Sequence, residues 1–349
     1  MIVSDSVKIL FPPTLRPEEW ALAHARGDAP GSAPYGLDLL AAHDFSIEYD
    51  SARAAGRNPL TWAIGRVPRG RHHATRRTEG VAVAWDERMA VPLLRRYGDS
   101  GRSLAAGVIW ATDTLADDGL SIRNTIMRRV LRQMDLVWCL SHGQVPVLRS
   151  WLGVEPERIA FLPFGIDSAF YAPAPWPDRP MVLSLGNDQD RDIPTLFSAL
   201  ERIRHARPDV RLVVQTRSPL PAPAGVEVMP SVTTPELVSL YAAATAVVVA
   251  TQPNLHVSGM TVCLEAMATG RPAVLSRTPG ASDYVLDGIT GHLADPGDAA
   301  DHAEAVLSIL DDPRRARRLG RAAREHVVTH HDQSVMCRHL ASLISDRRR

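Results

Sequence analysis

Two stretches of this chain combine residue types that could hold an anion. In MVLSLGNDQDRDIPTLFSAL, residues 181–200, Gly186 lets the backbone pass close to a ligand, and Arg191 follows with a guanidinium placed to reach its phosphates. In AVVVATQPNLHVSGMTVCLEAMATGRPAVLSRTPG, residues 246–280, Ser258 and Gly259 stand just before a helical pattern. A capping hydroxyl, a residue without a side chain and the positive end of a helix then meet where a phosphate would sit. Two further polar groups follow apolar runs: Asp86, Glu87 and Arg88 after GVAVAW, and Thr112, Asp113 and Thr114 after LAAGVIWA. Polar residues at strand carboxyl ends face the ligand crevice of an α/β sheet.

The elements that must position these residues are legible from period and punctuation. AVVVAT is a short β-branched run, and Met260, Leu264, Met267 and Ala268 recur at helical spacing. Gly270, Arg271 and Pro272 stop that helix and PAVLS supplies the next buried strand, which makes one βαβ unit. VRLVVQT and VEVMP read as strands, PELVSLYAAA as a helix, and 298–347 as three helices, the middle one basic from Arg314 to Arg324. In the first half VKILF, FSIEY, GVAVAW, LAAGVIWA and LVWCLS read as strands. A loop is expected over 12–35, ending in Gly31, Ser32, Pro34, Tyr35 and Gly36, with helices over GLDLLAAHDF, from near Asp117, over 121–133 and over 143–152. The proline-rich stretch 173–180 is a stiff connector and puts a domain boundary near Pro175.

With 349 residues and 39 basic against 39 acidic side chains, the chain can build two cored domains, and bulk attraction to nucleic acid is not indicated. Lys8 is the only lysine, which reads as coding bias. The opening MIVSDSVKILF is too short and polar for a signal peptide and no apolar run approaches the ~20 residues that span a bilayer, so a cytoplasmic location is expected. Cys139, Cys263 and Cys337 lack metal spacing and read as small buried hydrophobes. RVPRGRHHATRR, 66–77, reads as a solvated loop, with contact to an acidic acceptor or to an anionic membrane surface left open. His72 and His73 lack a partner pair, so no metal site is expected. The sequence leaves the oligomeric state unassigned.

LEAMATGRPAV followed by TPGASDYVLDGITGHLADPGD resembles the carboxyl-terminal signature of the retaining GT-B glycosyltransferases of family 4, the glycosyl transferases group 1. Gly165, Ile166, Asp167 and Phe170 match its linker signature. The resemblance implies an α/β fold of two Rossmann-like domains facing across a cleft. Residues 1–175 would bind the acceptor, 176–330 the nucleotide sugar, and 331–349 would form a helix packing back on the first domain. It implies that Glu265 accepts hydrogen bonds from the ribose and that Gly186, Asn187, Arg191 and the Ser258, Gly259, Met260, Thr261 turn hold the diphosphate. The backbone near Val232 would pair with the base, and Asp113, His256 and Ser258 would contact the donor sugar. Gly31, Ser32, Asp86 and Glu87 would lie on the acceptor side.

Three positions depart from the pattern. Val257 stands in place of the first of two paired glutamates, Asp113 in place of a histidine, and Asn187 in place of an arginine. An aspartate can bond a sugar hydroxyl or the ammonium of an amino sugar. With Val257 offering no acceptor, a deoxygenated, acylated or amino-substituted donor sugar is expected. The implied reaction is transfer of a sugar from a nucleoside diphosphate sugar to an unidentified acceptor, with retention and with neither metal nor cofactor. Arg191 and Asp113 are the expected catalytic residues. A non-catalytic sugar-nucleotide binder and an epimerase of the same architecture are the alternatives. A dinucleotide oxidoreductase is disfavoured because no Gly-x-Gly-x-x-Gly follows a strand.

Overall fold

The computed structural model describes residues 5–53, 80–118 and 121–346. The arginine-rich segment 66–77 singled out above lies outside the described residues. Twelve strands form two parallel sheets among them. The first contains β1 (Asp5–Phe11), β2 (Phe45–Ser51), β3 (Val81–Ala84), β4 (Ser103–Val108), β5 (Leu136–Cys139) and β6 (Ile159–Phe161), in the order 2-1-3-4-5-6. The second contains β7 (Met181–Ser184), β8 (Arg211–Gln215), β9 (Val226–Met229), β10 (Ala246–Val249), β11 (Ala273–Ser276) and β12 (Gly291–Ala294), in the order 12-11-10-7-8-9. Parallel strands need crossovers, and crossover helices cover both faces of the sheet. That is why β3, β4, β5, β7, β10 and β11 are buried at every position and read in the sequence as unbroken apolar runs.

The strand orders fix where each sheet can receive a ligand. β1 pairs with β3, Val7 opposite Val81, and the chain leaves these neighbours toward opposite edges of the sheet. The same holds for β7 and β10, Val182 opposite Ala246. At such a reversal the two following loops diverge and leave a crevice beyond the carboxyl ends of the strands. The residues singled out in the sequence follow β1, β3, β4, β7 and β10.

The chain divides into two compact units. One comprises Met1–Leu22, Ser32–Pro163 and Met336–Arg349, the other Ala23–Gly31 and Phe164–Val335. The division after Pro163 differs from the boundary expected near Pro175. The segment that follows is bound within the second unit: the Phe164 N–H donates to Tyr284 Oη at 3.2 Å, and the Ile166 N–H to the His331 carbonyl at 2.9 Å. The Gln333 N–H returns to the Ile166 carbonyl at 2.8 Å. Asp167 caps the turn, Oδ1 accepting from Ala169 N at 3.0 Å and Phe170 N at 2.9 Å. Each unit has its own apolar core, one around Leu93, Val130 and Leu148, the other around Leu200, Val248 and Ile309.

Several element assignments made from the sequence are corrected. The stretch read as a loop from residue 12 contains helix α1, Pro17–Ala25, which buries no residue and so has no apolar stripe to betray it. GLDLLAAH, the first eight residues of the expected helix GLDLLAAHDF, lies in a 3-10 helix, Pro34–His43, that bends through left-handed Tyr35 and Gly36. Helix α2 (Glu87–Tyr97) precedes α3, Ala111–Asp118, which starts well before Asp117 and takes Asp113 into its first turn. Strand β12 escapes a reading by apolar runs because GHLA is short and carries Gly291 and His292. All three cysteines are buried and carry thiols rather than disulfides. Among the described residues no helix is long and apolar enough to cross a membrane.

Candidate functional site

In the second unit, loop 185–192 leads from β7 to helix α6 (Ile193–Ala206), and loop 250–259 leads from β10 to helix α8 (Met260–Ala268). Short backbone bonds tie them together. Asp192 N donates to the Ala250 carbonyl at 3.0 Å and Gln252 N to the Asp190 carbonyl at 2.8 Å, with Arg191 bridged antiparallel to Thr251. Asp192 also caps α6, accepting from Thr195 N at 3.1 Å and Thr195 Oγ1 at 2.7 Å. Arg191 is thereby fixed between two left-handed glycines, Gly186 (φ 117°) and Gly259 (φ 94°). A Cβ at either glycine would collide with the guanidinium, and at Gly259 it would also lie 2.5 Å from Val249 Cγ1. The bareness of Gly186 therefore makes room for Arg191 rather than for a ligand, and its N–H is taken by Gln215 Oε1 at 3.1 Å.

Part of the Arg191 surface is exposed, yet its Nε and Nη1 are buried without a hydrogen-bond partner among the described residues. Burial lowers its pKa, Cys263, Asp188 and Tyr241 only partly opposing this, and an arginine still carries its charge at neutral pH. A buried cation with empty donors costs several kcal/mol unless an anion joins it. An anion with two acceptor oxygens would satisfy both nitrogens.

The turn before α8 differs from expectation in detail. Ser258 does not cap the helix: its hydroxyl donates to Asp188 Oδ1 at 2.7 Å and its N–H to Asn254 Oδ1 at 2.9 Å. The Met260 N–H donates to the Val257 carbonyl at 3.0 Å. Gly259 is the N-cap residue, and the N–H groups of the first turn, Thr261 included, have no acceptor within their own helix. Val257 is buried and held at φ 54°, rare and strained for a β-branched residue. His256 is buried with Nε2 3.3 Å from Asp188 Oδ1 and 3.7 Å from Asp190 Oδ2. Asp188, Asp190 and His256 bring ligand atoms within 4.8 Å of one another, a set that could hold a metal ion. An ionised carboxylate only accepts, so His256 carries its proton on Nε2 in this arrangement and would have to release Asp188 before it could ligate.

Glu265 lies on α8. Its Oε1 accepts from Tyr171 Oη at 2.8 Å and its Oε2 from Tyr241 Oη at 2.7 Å. Burial pushes its pKa up to about 7 against the pull of the two phenols. Each oxygen keeps a second lone pair, so the carboxylate can still receive hydroxyls. Asn187 accepts from Arg217 N at 2.7 Å through Oδ1, which leaves its NH₂ as the group able to donate. Val232 lies in the connection between β9 and helix α7 (Thr234–Ala243), and the neighbouring Pro230 carbonyl is taken by Gln215 Nε2 at 3.0 Å.

The first unit has its own constellation after β3 and β4. Asp86 caps α2 through Arg88 N at 2.9 Å and pairs with the Arg88 guanidinium at 2.7 Å. Glu87 is buried, its two oxygens accepting from Ile109 N and Trp110 N, each at 2.9 Å. Burial raises its pKa, with Asp86 adding to the effect. Neither residue is the open acceptor-side carboxylate expected from the sequence, Glu87 least of all. Asp113 is half-buried in the first turn of α3, where a negative charge favours the helix end. Ser32 donates to Asp38, while Gly31, grouped with the second unit, gives its N–H to Asp167 Oδ2 at 2.9 Å. Tyr35, at φ 60°, stacks on Trp85 with centroids 4.4 Å apart, and Arg88 lies over the Trp110 ring.

Sequence reasoning missed Asp188, Tyr171 and Tyr241. Asp188 carried a signal, since it stands beside Asn187 in the loop that holds Arg191. The tyrosines carried none, because their role exists only through Glu265.

Residues 179–312 match the family described as glycosyl transferases group 1. The chain is 29% identical over 254 residues to the alpha-maltose-1-phosphate synthase of Mycolicibacterium smegmatis, covering 63% of this chain and 65% of that protein. It is 33% identical over 202 residues to the D-inositol 3-phosphate glycosyltransferase of Pseudarthrobacter chlorophenolicus, covering 50% and 47%. The matched stretch thus spans about half to two thirds of the length of these relatives. Among solved structures, sucrose-phosphate synthase from Thermosynechococcus elongatus superposes with a TM-score of 0.71 at 19% identity, covering 98% of each chain. The Anabaena protein HepE, solved in complex with UDP-glucose, gives 0.69 at 16%, covering 98% of this chain and 99% of that one. The match over 179–312 makes that stretch similar to the glycosyl transferases group 1 family, and the two parallel sheets share the GT-B fold of the solved glycosyltransferases.

Proposed function

We propose that the protein transfers a hexose from a nucleoside diphosphate sugar to an acceptor nucleophile with retention at the anomeric carbon. The observation that carries this reading is Arg191, a cation whose Nε and Nη1 are buried without partners among the described residues at the switch point of the second sheet. A diphosphate is an anion whose charge and acceptor oxygens suit those donors, with the ribose on the carboxylate of Glu265. The names of the relatives support the same class of reaction.

The acceptor oxygen attacks the anomeric carbon from the side on which the leaving group departs. As the carbon–oxygen bond to the diphosphate breaks, its electron pair passes to the phosphate oxygen, which then takes the acceptor's proton. Negative charge grows on the diphosphate during this step, so the Arg191 guanidinium and the first-turn N–H groups of α8 stabilise the transition state more than the ground state. Arg191 supplies the positive charge that a metal ion would otherwise bring. A contact of this kind in a desolvated site is worth roughly 2–4 kcal/mol of barrier.

The test is a panel of UDP-, GDP- and dTDP-sugars, with product formation and anomeric configuration followed by NMR. Arg191→Ala is expected to lower kcat/KM at least ~100-fold, and Arg191→Lys to recover only part, because an ammonium lacks the planar fork. Nucleotide binding without turnover on any acceptor would instead mark a non-catalytic sugar-nucleotide binder. Normal turnover by Arg191→Ala would place the diphosphate elsewhere.

A further inference from the structure

We infer that Asp188 is the residue that reads the donor sugar, its Oδ2 accepting a hydrogen bond from a hydroxyl of a neutral hexose. The inference rests on the reading of Arg191 as the diphosphate site and adds the group beside it.

Asp188 is organised as a receptor rather than as a cap or an ion-pair partner. Three donors converge on one of its oxygens: Ser258 Oγ at 2.7 Å, Asp190 N at 3.1 Å and His256 Nε2 at 3.3 Å all point to Oδ1. They come from both loops of the site and lock the carboxylate plane. They also hold its pKa well below the usual carboxylate range against the effect of burial, so the group is ionised at any working pH. The other oxygen, Oδ2, accepts nothing among the described residues, and the side chain keeps 26% of its surface exposed. A carboxylate with one oxygen clamped and the other open has its orientation fixed before the ligand arrives, which is what discrimination by a hydrogen bond requires.

Its position follows from the same loops. The Arg191 N–H donates to the Asp188 carbonyl at 3.2 Å, and Ser258, which holds Asp188, adjoins Gly259, which seats Arg191. A sugar attached to a phosphate on Arg191 therefore begins next to Asp188. This reverses the donor expectation drawn from Val257. That residue is buried with a strained backbone, and the wall it was expected to leave bare carries a carboxylate contributed by the other loop. Asp188 and Asp190 together repel a sugar acid.

Asp188→Asn separates the parts, because the amide oxygen can keep the three donors while Nδ2 replaces the open acceptor with a donor. Calorimetry would compare UDP with UDP-glucose and UDP-glucuronic acid, and GDP with GDP-mannose, on the wild type and the variant. The expected result is unchanged affinity for the free nucleotides within about twofold, and a loss of about tenfold or more for the neutral sugar nucleotide that the wild type binds best. UDP-glucuronic acid should bind the wild type more weakly than UDP-glucose, and that handicap should shrink in the variant, where only Asp190 still repels it. Equal losses for nucleotide and sugar nucleotide would show that Asp188 only shapes the Arg191 loop, and no loss for either would show that it touches no sugar. Either overturns the proposal while leaving the diphosphate site standing. Sugar-nucleotide affinity abolished by EDTA and restored by Mn²⁺ would show that Asp188, Asp190 and His256 hold a cation, which also overturns it. Failure of the wild type to bind any of these nucleotides would instead remove the reading on which it rests.

Discussion

At the switch point of the first sheet the charged side chains are already matched: Asp86 is closed by Arg88, and Glu87 by the Ile109 and Trp110 amides. At the switch point of the second, built on the same parallel topology, Arg191 is seated by two glycines and keeps buried donors that no described residue satisfies. The contrast teaches that a strand end in an α/β sheet offers a location and not a function. A charged residue there becomes part of the scaffold when local amides saturate it, as they saturate Glu87. It becomes a receptor when the local backbone holds it without completing its hydrogen bonds.

The largest effect expected from this contrast is on stability. Glu87→Ala removes the carboxylate that accepts from two backbone amides, at roughly 1–3 kcal/mol each, so urea denaturation should show a loss of about 4 kcal/mol. Nucleoside diphosphate affinity of the folded variant should be unchanged. If it falls in parallel, the distinction between scaffold and receptor fails. Next, Gly259→Ala places a Cβ against the guanidinium at a left-handed residue and should weaken UDP or GDP binding by about 2 kcal/mol. Retained affinity in that variant would mean that the seat of Arg191 is not the binding site.

A smaller effect concerns Glu265, and here binding and stability run in opposite directions with pH. Its pKa in the fold, about 7, lies above the ordinary 4.5, so the folded protein takes up a proton as pH falls through 7. The folded state holds more protons than the unfolded chain between 4.5 and 7, hence the buried carboxylate penalises stability above about pH 7 and that penalty is relieved on acidification. Ribose hydroxyls need the ionised form, so nucleotide affinity should decline over the same interval. Calorimetry at pH 5.5 and 8 checks this, and Glu265→Gln should weaken binding by ~1–2 kcal/mol and flatten the profile. The smallest effect belongs to Asp86→Asn. Asparagine retains the helix cap, and the lost ion pair involves a guanidinium 47% exposed, so denaturation should register less than about 1 kcal/mol.

The sequence displayed what depends on local pattern. The strands of both sheets other than β6 and β12, the βαβ unit around residue 260 and the three closing helices follow from apolar period and stop signals, and Arg191 could be picked out because it follows a glycine turn. What it hid depends on partners distant along the chain. Ser258 looks like a helix cap until Asp188, 70 positions away, claims its hydroxyl. Glu87 looks like an open acid until the amides after β4 close on it. Tyr35 gives no sign that it adopts φ 60° to stack on Trp85, since nothing in an aromatic residue favours that backbone. Helix α1 is hidden for the opposite reason: with no buried face, it writes no period into the sequence.

The two backbone bonds between Ile166 and the 331–333 segment join residues at the start and end of the long second-unit segment. The first unit, by contrast, draws its last piece from the far end of the chain, where the Cys337 thiol meets the Gly36 carbonyl across 301 positions. Synthesis runs from the amino terminus, so the unit carrying Arg191 is fully made while the first still lacks its closing helix (Gln333–Asp346). Pulse-labelled limited proteolysis of ribosome-bound chains should therefore find residues 164–335 protected before 32–163. The order of assembly is the reverse of the order in which the two units begin.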